Sequence, residues 1–321
     1  MLAVICITAA CGQAPHSSVS SPQPTSHPVK TTSTERPSPT VPPAQVSPIG
    51  WNEPRLVSGG NFSSISCPTT AFCVAVDNLQ TNNIYTYHAG KWSTATSRTG
   101  LESVSCVSST FCVAVGNVYA LVYNGSSWSA PVTDSPSFLT SVSCISSTFC
   151  AASEYHGNVE VYNGSSWKES YVPGSSGLAS ISCTSPTFCV AVGGGSVVMF
   201  NGSSWSSPVS VDPGTQLSSV SCTSSQFCMA VGGTSAVPFN GKKWMAPEPV
   251  GNYGLAAVSC SGKTFCIASG GNGDAFTYNG SGWSDPSQMD STYNVVSLSC
   301  PELYSCAAAD DVGRITFSSG W

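Results

Sequence analysis

Within a 39-residue unit that recurs along this chain, apolar residues alternate with a period of two rather than recurring every three or four positions. Apolar runs such as Val113–Val115 and Val197–Phe200 are short, and Gly, Asn and Ser clusters interrupt them every few positions. A period of two places successive side chains on opposite faces of a strand, whereas a helix repeats every three to four residues. Between residues 51 and 321, no segment of ten or more residues carries a helical pattern without a Gly or Pro break. The sequence therefore predicts an all-β domain.

A cysteine pair with five intervening residues recurs seven times. The first cysteines of the pairs run from Cys67 to Cys300, which is 233 residues in six steps, close to 39 residues per step. Each unit reads Ser-Val-Ser-Cys, a short turn, Phe-Cys-x-Ala-Val, a loop, and Tyr-Asn-Gly-x-x-Trp. About forty residues in four short strands is the size of one β-propeller blade. We therefore expect a seven-bladed β-propeller over residues 51–321.

The two ends of the repeat region complement each other. The segment from Trp51 to Val57 resembles the fourth strand of a repeat, but strands one to three of such a repeat do not come before it. The seventh repeat stops at Trp321 without a fourth strand. Pairing the N-terminal strand with the last repeat would leave no unpaired edge between the first and seventh blades. We expect the ring to close in this way.

Each cysteine pair flanks the predicted hairpin between the first and second strands. Facing positions on antiparallel strands lie about 4.5 to 5.5 Å apart, a span that a disulfide can bridge. Zinc is the alternative, but its structural sites use Cys-x2-Cys spacing. Disulfides of this spacing indicate an exported protein. The predicted disulfides are Cys67–Cys73, Cys106–Cys112, Cys144–Cys150, Cys183–Cys189, Cys222–Cys228, Cys260–Cys266 and Cys300–Cys306.

Two further residue types recur in every repeat or nearly so. Asn-Gly pairs such as Asn124-Gly125 lie between the third and fourth strands, where a tight hairpin requires positive φ at both central residues. A tryptophan such as Trp128 follows each third strand. These tryptophans could be stacking platforms for sugars, but a residue placed identically in every blade is more simply explained as filling space between blades.

Charged residues are scarce in this chain. They make up 8% of the sequence, against roughly 25% in ordinary soluble domains, and ten Lys and Arg face sixteen Asp and Glu. No basic stripe is present to bind a phosphate backbone, which excludes nucleic acid as a partner. The surface is instead rich in hydroxyl groups, and we expect a monomer.

The first fifty residues do not resemble the repeats. The apolar run Met1–Ala10 ends in Thr-Ala-Ala-Cys11-Gly, which resembles the lipobox of bacterial lipoproteins. We predict a signal peptide over residues 1–11 with lipidation at Cys11, and a disordered, extended Ser/Thr/Pro-rich linker over residues 12–50. This predicts a propeller exported and anchored to the outer side of a membrane, or secreted. The alternative is a disordered N-terminus with two unpaired cysteines, Cys6 and Cys11.

The segment Ala191–Trp205, with paired glycines, an aromatic residue and a later tryptophan, resembles a shortened kelch repeat. Its Gly-x-x-Trp ending is also similar to the tail of the Asp-box of sialidase-like propellers. The resemblance implies blade architecture only. The Asp-box aspartate is absent, neither family uses this cysteine pair, and no catalytic residue transfers.

Function is expected where the repeats differ, because loops carry function while identical positions maintain the fold. Loops between the second and third strands should share one face with the connections between blades. The candidate ligand-binding residues there are Asp77, Asn78, Glu154, Tyr155, His156, Tyr253, Asn272, Asp274, Tyr293, Asp310, Asp311 and Arg314.

Blades 1 and 7 are neighbours in a closed ring, so Asp77, Asp310 and Asp311 are candidate ligands for Ca²⁺. Solvated turn carboxylates are the alternative. No other cofactor is expected.

Three functions are compatible with this sequence. The leading hypothesis is a non-catalytic, surface-tethered binding head that recognises a glycan, a cell-wall polymer or a protein. The second is a glycoside hydrolase or lyase, which needs paired carboxylates, and for it we propose the pair Asp77 and Asp310. The third is a rigid extracellular scaffold. The domain has three arginines, Arg55, Arg98 and Arg314. A sialidase-like arginine triad is disfavoured, because Arg55 lies in the predicted outer strand, away from the central axis.

Overall fold

The computed structural model describes residues 46–78, 81–97, 99–133 and 138–321. Within these ranges, strands β1 to β28 form seven four-stranded antiparallel sheets. One 3-10 turn, Gly271–Gly273, interrupts the β structure. The sheets are the blades of a seven-bladed β-propeller, so the predicted fold class is confirmed.

The strands follow the repeat closely. Blades 1 to 3 consist of β2 (Phe62–Thr69), β3 (Phe72–Asp77), β4 (Asn83–His88) and β5 (Lys91–Thr96); β6 (Ser103–Ser108), β7 (Phe111–Gly116), β8 (Tyr119–Tyr123) and β9 (Val132–Thr133); β10 (Leu139–Ser146), β11 (Phe149–Glu154), β12 (Val159–Tyr162) and β13 (Trp167–Ser170). Blades 4 to 6 consist of β14 (Ser180–Ser185), β15 (Phe188–Gly193), β16 (Ser196–Phe200) and β17 (Val209–Ser210); β18 (Leu217–Ser224), β19 (Phe227–Gly232), β20 (Ser235–Phe239) and β21 (Glu248–Pro249); β22 (Leu255–Gly262), β23 (Phe265–Gly270), β24 (Asp274–Tyr278) and β25 (Ser287–Gln288).

Blade 7 contains strands from both ends of the domain. Its first three strands are β26 (Val295–Glu302), β27 (Ser305–Asp310) and β28 (Arg314–Phe317), and its outer strand is β1 (Arg55–Leu56). Arg55 pairs with Ile315, and an isolated bridge joins Trp51 to Ser318. The predicted closure by the N-terminal strand is therefore confirmed.

All seven predicted disulfides are present. In blade 2, Cys106 and Cys112 are directly opposed on β6 and β7. The Cα atoms of each pair lie 4.0 or 4.1 Å apart. In the chain-entropy model a closed loop of this length contributes about 2.4 kcal/mol. Seven such bonds indicate an extracellular or otherwise oxidising environment.

The serines of the Ser-Val-Ser-Cys motif join neighbouring blades. Ser64 and Ser66 on the innermost strand of blade 1 accept hydrogen bonds from the backbone N–H groups of Val104 and Cys106 in blade 2, at 3.2 and 2.9 Å. The same two bonds recur at the next four junctions and between blades 7 and 1. Between blades 6 and 7 Ala257 replaces the first serine, and one bond remains. We call these contacts the serine ladder.

The repeated tryptophans are structural residues. Each packs against the aromatic residue at or near the end of the third strand of its blade, as Trp128 does against Tyr123 with ring centroids 5.3 Å apart. The centroid distances in the other six blades are 4.6 to 5.3 Å. Phe and Val side chains from adjacent sheets complete the core between the blades.

The Asn-Gly turns differ in part from the prediction. Gly125 has φ +94°, but Asn124 has no positive φ, so the expectation for both residues was wrong for the asparagine. The Asn124 side chain instead accepts hydrogen bonds from the N–H groups of Ser126 and Ser127, at 3.0 and 2.9 Å. Such a side-chain turn closes a four-residue loop without left-handed asparagine.

The predicted signal peptide, the lipidated Cys11 and the linker up to residue 45 lie outside the described residues, as does Arg98. Ile49 already contacts the propeller, because its N–H donates to Thr277 Oγ1 at 3.3 Å. Within the described ranges, no helix has the length and apolar character needed to cross a membrane.

Candidate functional site

The antiparallel order of the strands gives the ring two different faces. The hairpin turns between strands 1 and 2 and between strands 3 and 4 lie at one end of each blade, which we call the turn face. The loops between strands 2 and 3 and the connections between blades lie at the other end, which we call the loop face. All predicted ligand-binding residues belong to segments of the loop face.

Three of the predicted carboxylates share one structural position. Asp77, Glu154 and Asp310 are each the last residue of the second strand of their blade, and all three are buried. In the other blades this position is occupied by Gly116, Gly193, Gly232 and Gly270. The following loop has two residues in blades 2, 4 and 5, three to five in blades 1, 3 and 7, and three in blade 6, which has a glycine at this position. The acidic residue therefore accompanies a longer loop.

Asp77 holds the loop of its own blade in place. Its Oδ1 accepts a hydrogen bond from the Asn83 N–H at 3.0 Å, and its Oδ2 accepts one from the Thr81 hydroxyl. The neighbouring Asn78 donates its side-chain amide to Glu102 Oε2 at 2.8 Å. Both carboxylate oxygens of Asp77 are thus engaged within blade 1, and Asn78 connects blade 1 to blade 2.

The blade 7 loop contains an ion pair. Arg314 Nη1 lies 3.3 Å from Asp290 Oδ2, and its guanidinium carbon is 4.4 Å from the centroid of the Tyr293 ring. Asp290 Oδ1 accepts hydrogen bonds from the N–H groups of Thr292 and Tyr293. Tyr293 and Arg314, both predicted to bind ligand, therefore also contact each other.

Asp310 is buried beside this ion pair. Its Oδ1 accepts from the N–H groups of Val312 and Arg314, at 3.0 and 2.7 Å. Its Oδ2 is buried with no hydrogen-bond partner among the described residues, as is Asp311 Oδ1. Burial raises the pKa of Asp310; the two N–H bonds and the Arg314 charge oppose this rise, and the Asp290 charge adds to it. Asp311 Oδ2 accepts from Asn294 Nδ2 at 3.0 Å.

The closest gathering of carboxylates is in blade 3. Within the described residues, Glu154, Glu160 and Glu169 are the set of three whose oxygen atoms all lie within 4.8 Å of one another. Glu154 and Glu160 are buried, and Glu169 is exposed and accepts from Asn158 Nδ2 at 3.0 Å. Asp77, Asp310 and Asp311 do not form such a set. The carboxylate oxygens that could together hold a hard cation are thus those of blade 3, and Ca²⁺ at Asp77, Asp310 and Asp311 stays a prediction.

The loop face of blade 3 carries exposed aromatic side chains. Phe138, Tyr155 and Tyr171 are 59%, 61% and 69% exposed. The Tyr155 N–H donates to the Phe138 carbonyl at 2.9 Å, and the His156 ring lies 5.9 Å from the Tyr155 ring. Tyr171 adjoins this loop, because the N–H of the next residue donates to Asn158 Oδ1 at 3.3 Å. We call Phe138, Tyr155, His156 and Tyr171 the blade 3 patch.

The backbone holds the blade 3 patch in one geometry. Within the loop, the Glu154 N–H donates to the Asn158 carbonyl at 3.0 Å, and the Gly157 N–H donates to the Glu154 carbonyl at 2.9 Å. Gly157 has φ +101°, and a Cβ there would lie 2.4 Å from the Ser175 carbonyl oxygen. Only glycine fits this position. A rigid loop presents its aromatic side chains with little entropy left to lose on binding.

The remaining predicted residues lie around blade 6. Tyr253 is exposed and packs its Cβ against Gly271, and it borders a cavity of about 310 Å³ together with Asp274. Asp274 Oδ1 accepts from Gln288 Nε2; burial raises the pKa of Asp274, and this hydrogen bond opposes the rise. Asn272, with φ +62°, donates its N–H to Asn294 Oδ1 at 3.3 Å. Tyr253 and the blade 3 patch belong to different blade junctions.

Sequence reasoning missed several residues of these clusters. Phe138, Tyr171, Glu160, Glu169 and Asp290 were not singled out, although each departs from the repeat. In blades 2 and 4 a Pro-Val pair begins three residues after the tryptophan. In blade 3 Tyr171 lies four residues after the tryptophan, and the pair that follows it has the reverse order, Val172-Pro173. Comparing every position between repeats would have found them: Phe138, Tyr171 and Asp290 in the blade connections, and Glu160 and Glu169 in strands β12 and β13.

No protein-family model matches the chain, and no curated protein matches its sequence. Solved structures do resemble it. One described as YCF48 bound to D1 peptide has a TM-score of 0.69 at 14% identity, covering 85% of this chain and 98% of that one. The WD40 β-propeller domain of Doa1 has a TM-score of 0.71 at 7% identity, covering 83% and 95%. U3-55K has a TM-score of 0.70 at 9% identity, covering 83% and 98%.

The chain has the WD40-like seven-bladed propeller fold. At these identities the resemblance concerns the fold alone, because one propeller fold serves many functions. The kelch and Asp-box resemblances of the repeats stay predictions.

Proposed function

We propose that this protein is a non-catalytic binding propeller that recognises its ligand through the loop face, at the blade 3 patch. The observation that carries this proposal is the exposure of Phe138, Tyr155 and Tyr171 around one hydrogen-bonded loop. Large aromatic side chains are costly to leave in water and supply most of the energy of binding surfaces. The blade 4 loop, from the same repeat, has only glycines at the corresponding place.

Three ligand classes suit such a surface. A protein segment, a glycan or a cell-wall polymer can each pack apolar or ring surface against tyrosine and phenylalanine. A similar propeller is described as YCF48 bound to D1 peptide, which favours a protein segment. The few charges of this chain argue against a ligand recognised mainly by its charge. In the cell, the head would be displayed through the predicted linker and lipid at Cys11.

Catalysis is the weaker proposal. The carboxylate pair required for glycoside hydrolysis was expected to be Asp77 and Asp310. Both are buried, and Asp77 and the Oδ1 of Asp310 accept hydrogen bonds that fix the loops of their own blades. We therefore assign them to the scaffold. The extracellular scaffold hypothesis remains the alternative if no ligand is found.

The test is a screen of oxidised full-length protein against displayed peptides, arrayed glycans and wall polymers, with and without Ca²⁺. Tyr155→Ala should weaken a specific ligand by about tenfold or more, as expected for an aromatic hot spot. Tyr253→Ala is the matched control, because it removes an exposed tyrosine at another junction. Equal loss with both variants, or loss with neither, would reject the blade 3 patch. A requirement for Ca²⁺ would support the metal hypothesis.

A further inference from the structure

A cavity of about 680 Å³ opens on the turn face between blades 5 and 6. It lies at the opposite end of the blades from the loop face, and the proposed function does not use it. Residues of both blades line it: Phe227, Pro238, Met245 and Glu248 from blade 5, and Lys263 and Tyr278 from blade 6.

Two linked departures from the repeat add apolar surface to this cavity. In blades 2, 4 and 6 the tryptophan is followed by a serine whose hydroxyl accepts a hydrogen bond from the facing third-strand N–H, as Ser206 does from Met199 at 3.1 Å. In blade 5 the facing residue is Pro238, which has no N–H, and Met245 replaces the serine. A thioether and a proline ring therefore stand where other blades have a polar pair. The Met245 side chain is partly open to solvent.

Aromatic rings form the wall between the two blades. The Phe227 and Tyr278 rings are stacked, with centroids 6.3 Å apart and planes 18° from parallel. Tyr278 is only 8% exposed and lines the cavity, and no described residue hydrogen-bonds to its hydroxyl group. Burial raises the pKa of Tyr278, and the nearby Glu248 charge raises it further. The hydroxyl thus lies near a carboxylate and is available to a ligand.

Glu248 is the unusual charge in this cavity. It occupies the outer-strand position of the exposed Val132 and Val209 in blades 2 and 4. Within the described residues it has no hydrogen bond or ion pair, and burial raises the pKa of its carboxyl group. Lys263, on the rim, also forms no ion pair, since the ion pair found among all the described residues is Arg314–Asp290, in blade 7. The cavity therefore offers one unpaired charge of each sign.

We propose that this cavity is a second binding site, for an extended peptide segment that places an arginine or lysine side chain against Glu248 and an acidic side chain near Lys263. The aliphatic part of the basic side chain would pack on Met245 and Pro238, and its cationic end would meet Glu248 beside the Tyr278 ring. A charge-assisted hydrogen bond in a partly desolvated groove is stronger than one in open water. Because the two sites lie on opposite faces, occupation of one leaves the other accessible.

The methionines provide a direct probe of this site. Full-length protein labelled with ¹³C at the methionine methyl groups would be titrated with acetyl-Ala-Pro-Arg-Pro-Ala-Asp-amide, and Met245→Leu would identify the Met245 signal. We expect the largest saturable shift at the Met245 signal, because Met229 is buried in the core behind Phe227 and Tyr278, and Met199 and Met289 pack at other blade junctions. The norleucine analogue of the peptide should bind at least tenfold more weakly. Glu248→Gln should weaken the arginine peptide to a similar degree.

The control variant is Glu302→Gln, which neutralises an exposed carboxylate on the turn face of blade 7 and should leave the titration unchanged. No movement of the Met245 signal up to about 10 mM peptide, a concentration that would nearly saturate a site with a Kd of about 1 mM, would overturn the proposal. So would equal binding of the norleucine peptide, or unchanged binding to Glu248→Gln. Equal affinity for N-acetyl-arginine amide would make this a small-cation site and reject the peptide. None of these outcomes depends on the blade 3 patch.

Discussion

Blades 3 and 4 are neighbours built from the same repeat, yet their loop-face ends differ completely. Both have the cross-strand disulfide, the serine ladder and the tryptophan packed on the third strand. After the second strand, blade 4 turns through Gly194 and Gly195, whereas blade 3 has Tyr155 to Asn158. The scaffold positions are interchangeable between the blades, and the loop positions are not.

The comparison separates two kinds of departure from the repeat. Glu154 replaces Gly193 but is buried, as Asp77 and Asp310 are in their blades, and it begins a longer loop. Tyr155, the next residue, is exposed. A variable residue therefore indicates function only when its side chain is left in solvent without a structural task. Four predictions test this distinction between scaffold residues and functional residues, from the largest expected effect to the smallest.

One glycine in each loop, Gly157 in blade 3 and Gly195 in blade 4, contacts the connection to the next blade, and the two should contribute equally to stability. A Cβ at Gly157 or at Gly195 would lie 2.4 or 2.5 Å from a backbone carbonyl oxygen, and both residues have positive φ. We expect Gly157→Ala and Gly195→Ala each to cost about 3 kcal/mol of unfolding free energy, by strain and steric overlap together. Gly194→Ala is the control, because nothing lies within 4 Å, and should cost about 1 kcal/mol. Urea denaturation measures all three; equal costs would contradict the packing described.

The disulfides of the two blades should contribute equally. Replacing both cysteines of Cys144–Cys150, or both of Cys183–Cys189, with serine should cost about 2 kcal/mol in either blade, because the closed loops have the same length. The measurement is urea denaturation of the two double variants under oxidising conditions. A cost found in only one blade would show that the scaffold is not equivalent between them.

The serine ladder predicts smaller changes. Ser143→Ala and Ser182→Ala each leave a backbone N–H of the next blade without its acceptor and should each cost about 1 kcal/mol. Ala257→Ser restores the missing member of the ladder and should stabilise the protein by up to about 1 kcal/mol. Thermal denaturation should give a lower melting temperature for each serine variant and a higher one for Ala257→Ser. Destabilisation by Ala257→Ser would mean that the blade 6 site has repacked.

The smallest effect concerns pH. Because the pKa of Asp310 is raised in the folded state, that state holds the proton more tightly than the unfolded chain does. The contribution of Asp310 to stability should therefore be full below the ordinary carboxyl pKa and decline as pH rises through the raised value. Asp310→Asn should flatten this decline, measured by urea denaturation across the acidic range. If the slope of unfolding free energy against pH is the same in Asp310→Asn as in the wild type, groups other than Asp310 cause the decline.

Much of this architecture could be predicted from the sequence because the repeat records it seven times. The 39-residue period predicted the blades, the Trp51–Val57 segment predicted the closure of the ring, and the cysteine spacing predicted the disulfides. The loop-face residues could be listed but not sorted, because burial separates Asp310 from Tyr155 and no local pattern encodes it. Glu160 and Glu169 come together with Glu154 only through strand register, and Met245 with Pro238 could be interpreted only once they were known to face each other.

The central claim is that the exposed aromatic side chains of blade 3 bind the ligand and do not maintain the fold. The most direct measurement compares the wild-type protein with the triple variant Phe138→Ser, Tyr155→Ser, Tyr171→Ser, recording the melting temperature and the Kd for the ligand that the screen returns. We predict an unchanged melting temperature and a Kd raised by about a hundredfold or more, since each aromatic anchor is worth at least 1 kcal/mol. An unchanged Kd in a folded variant would contradict the account.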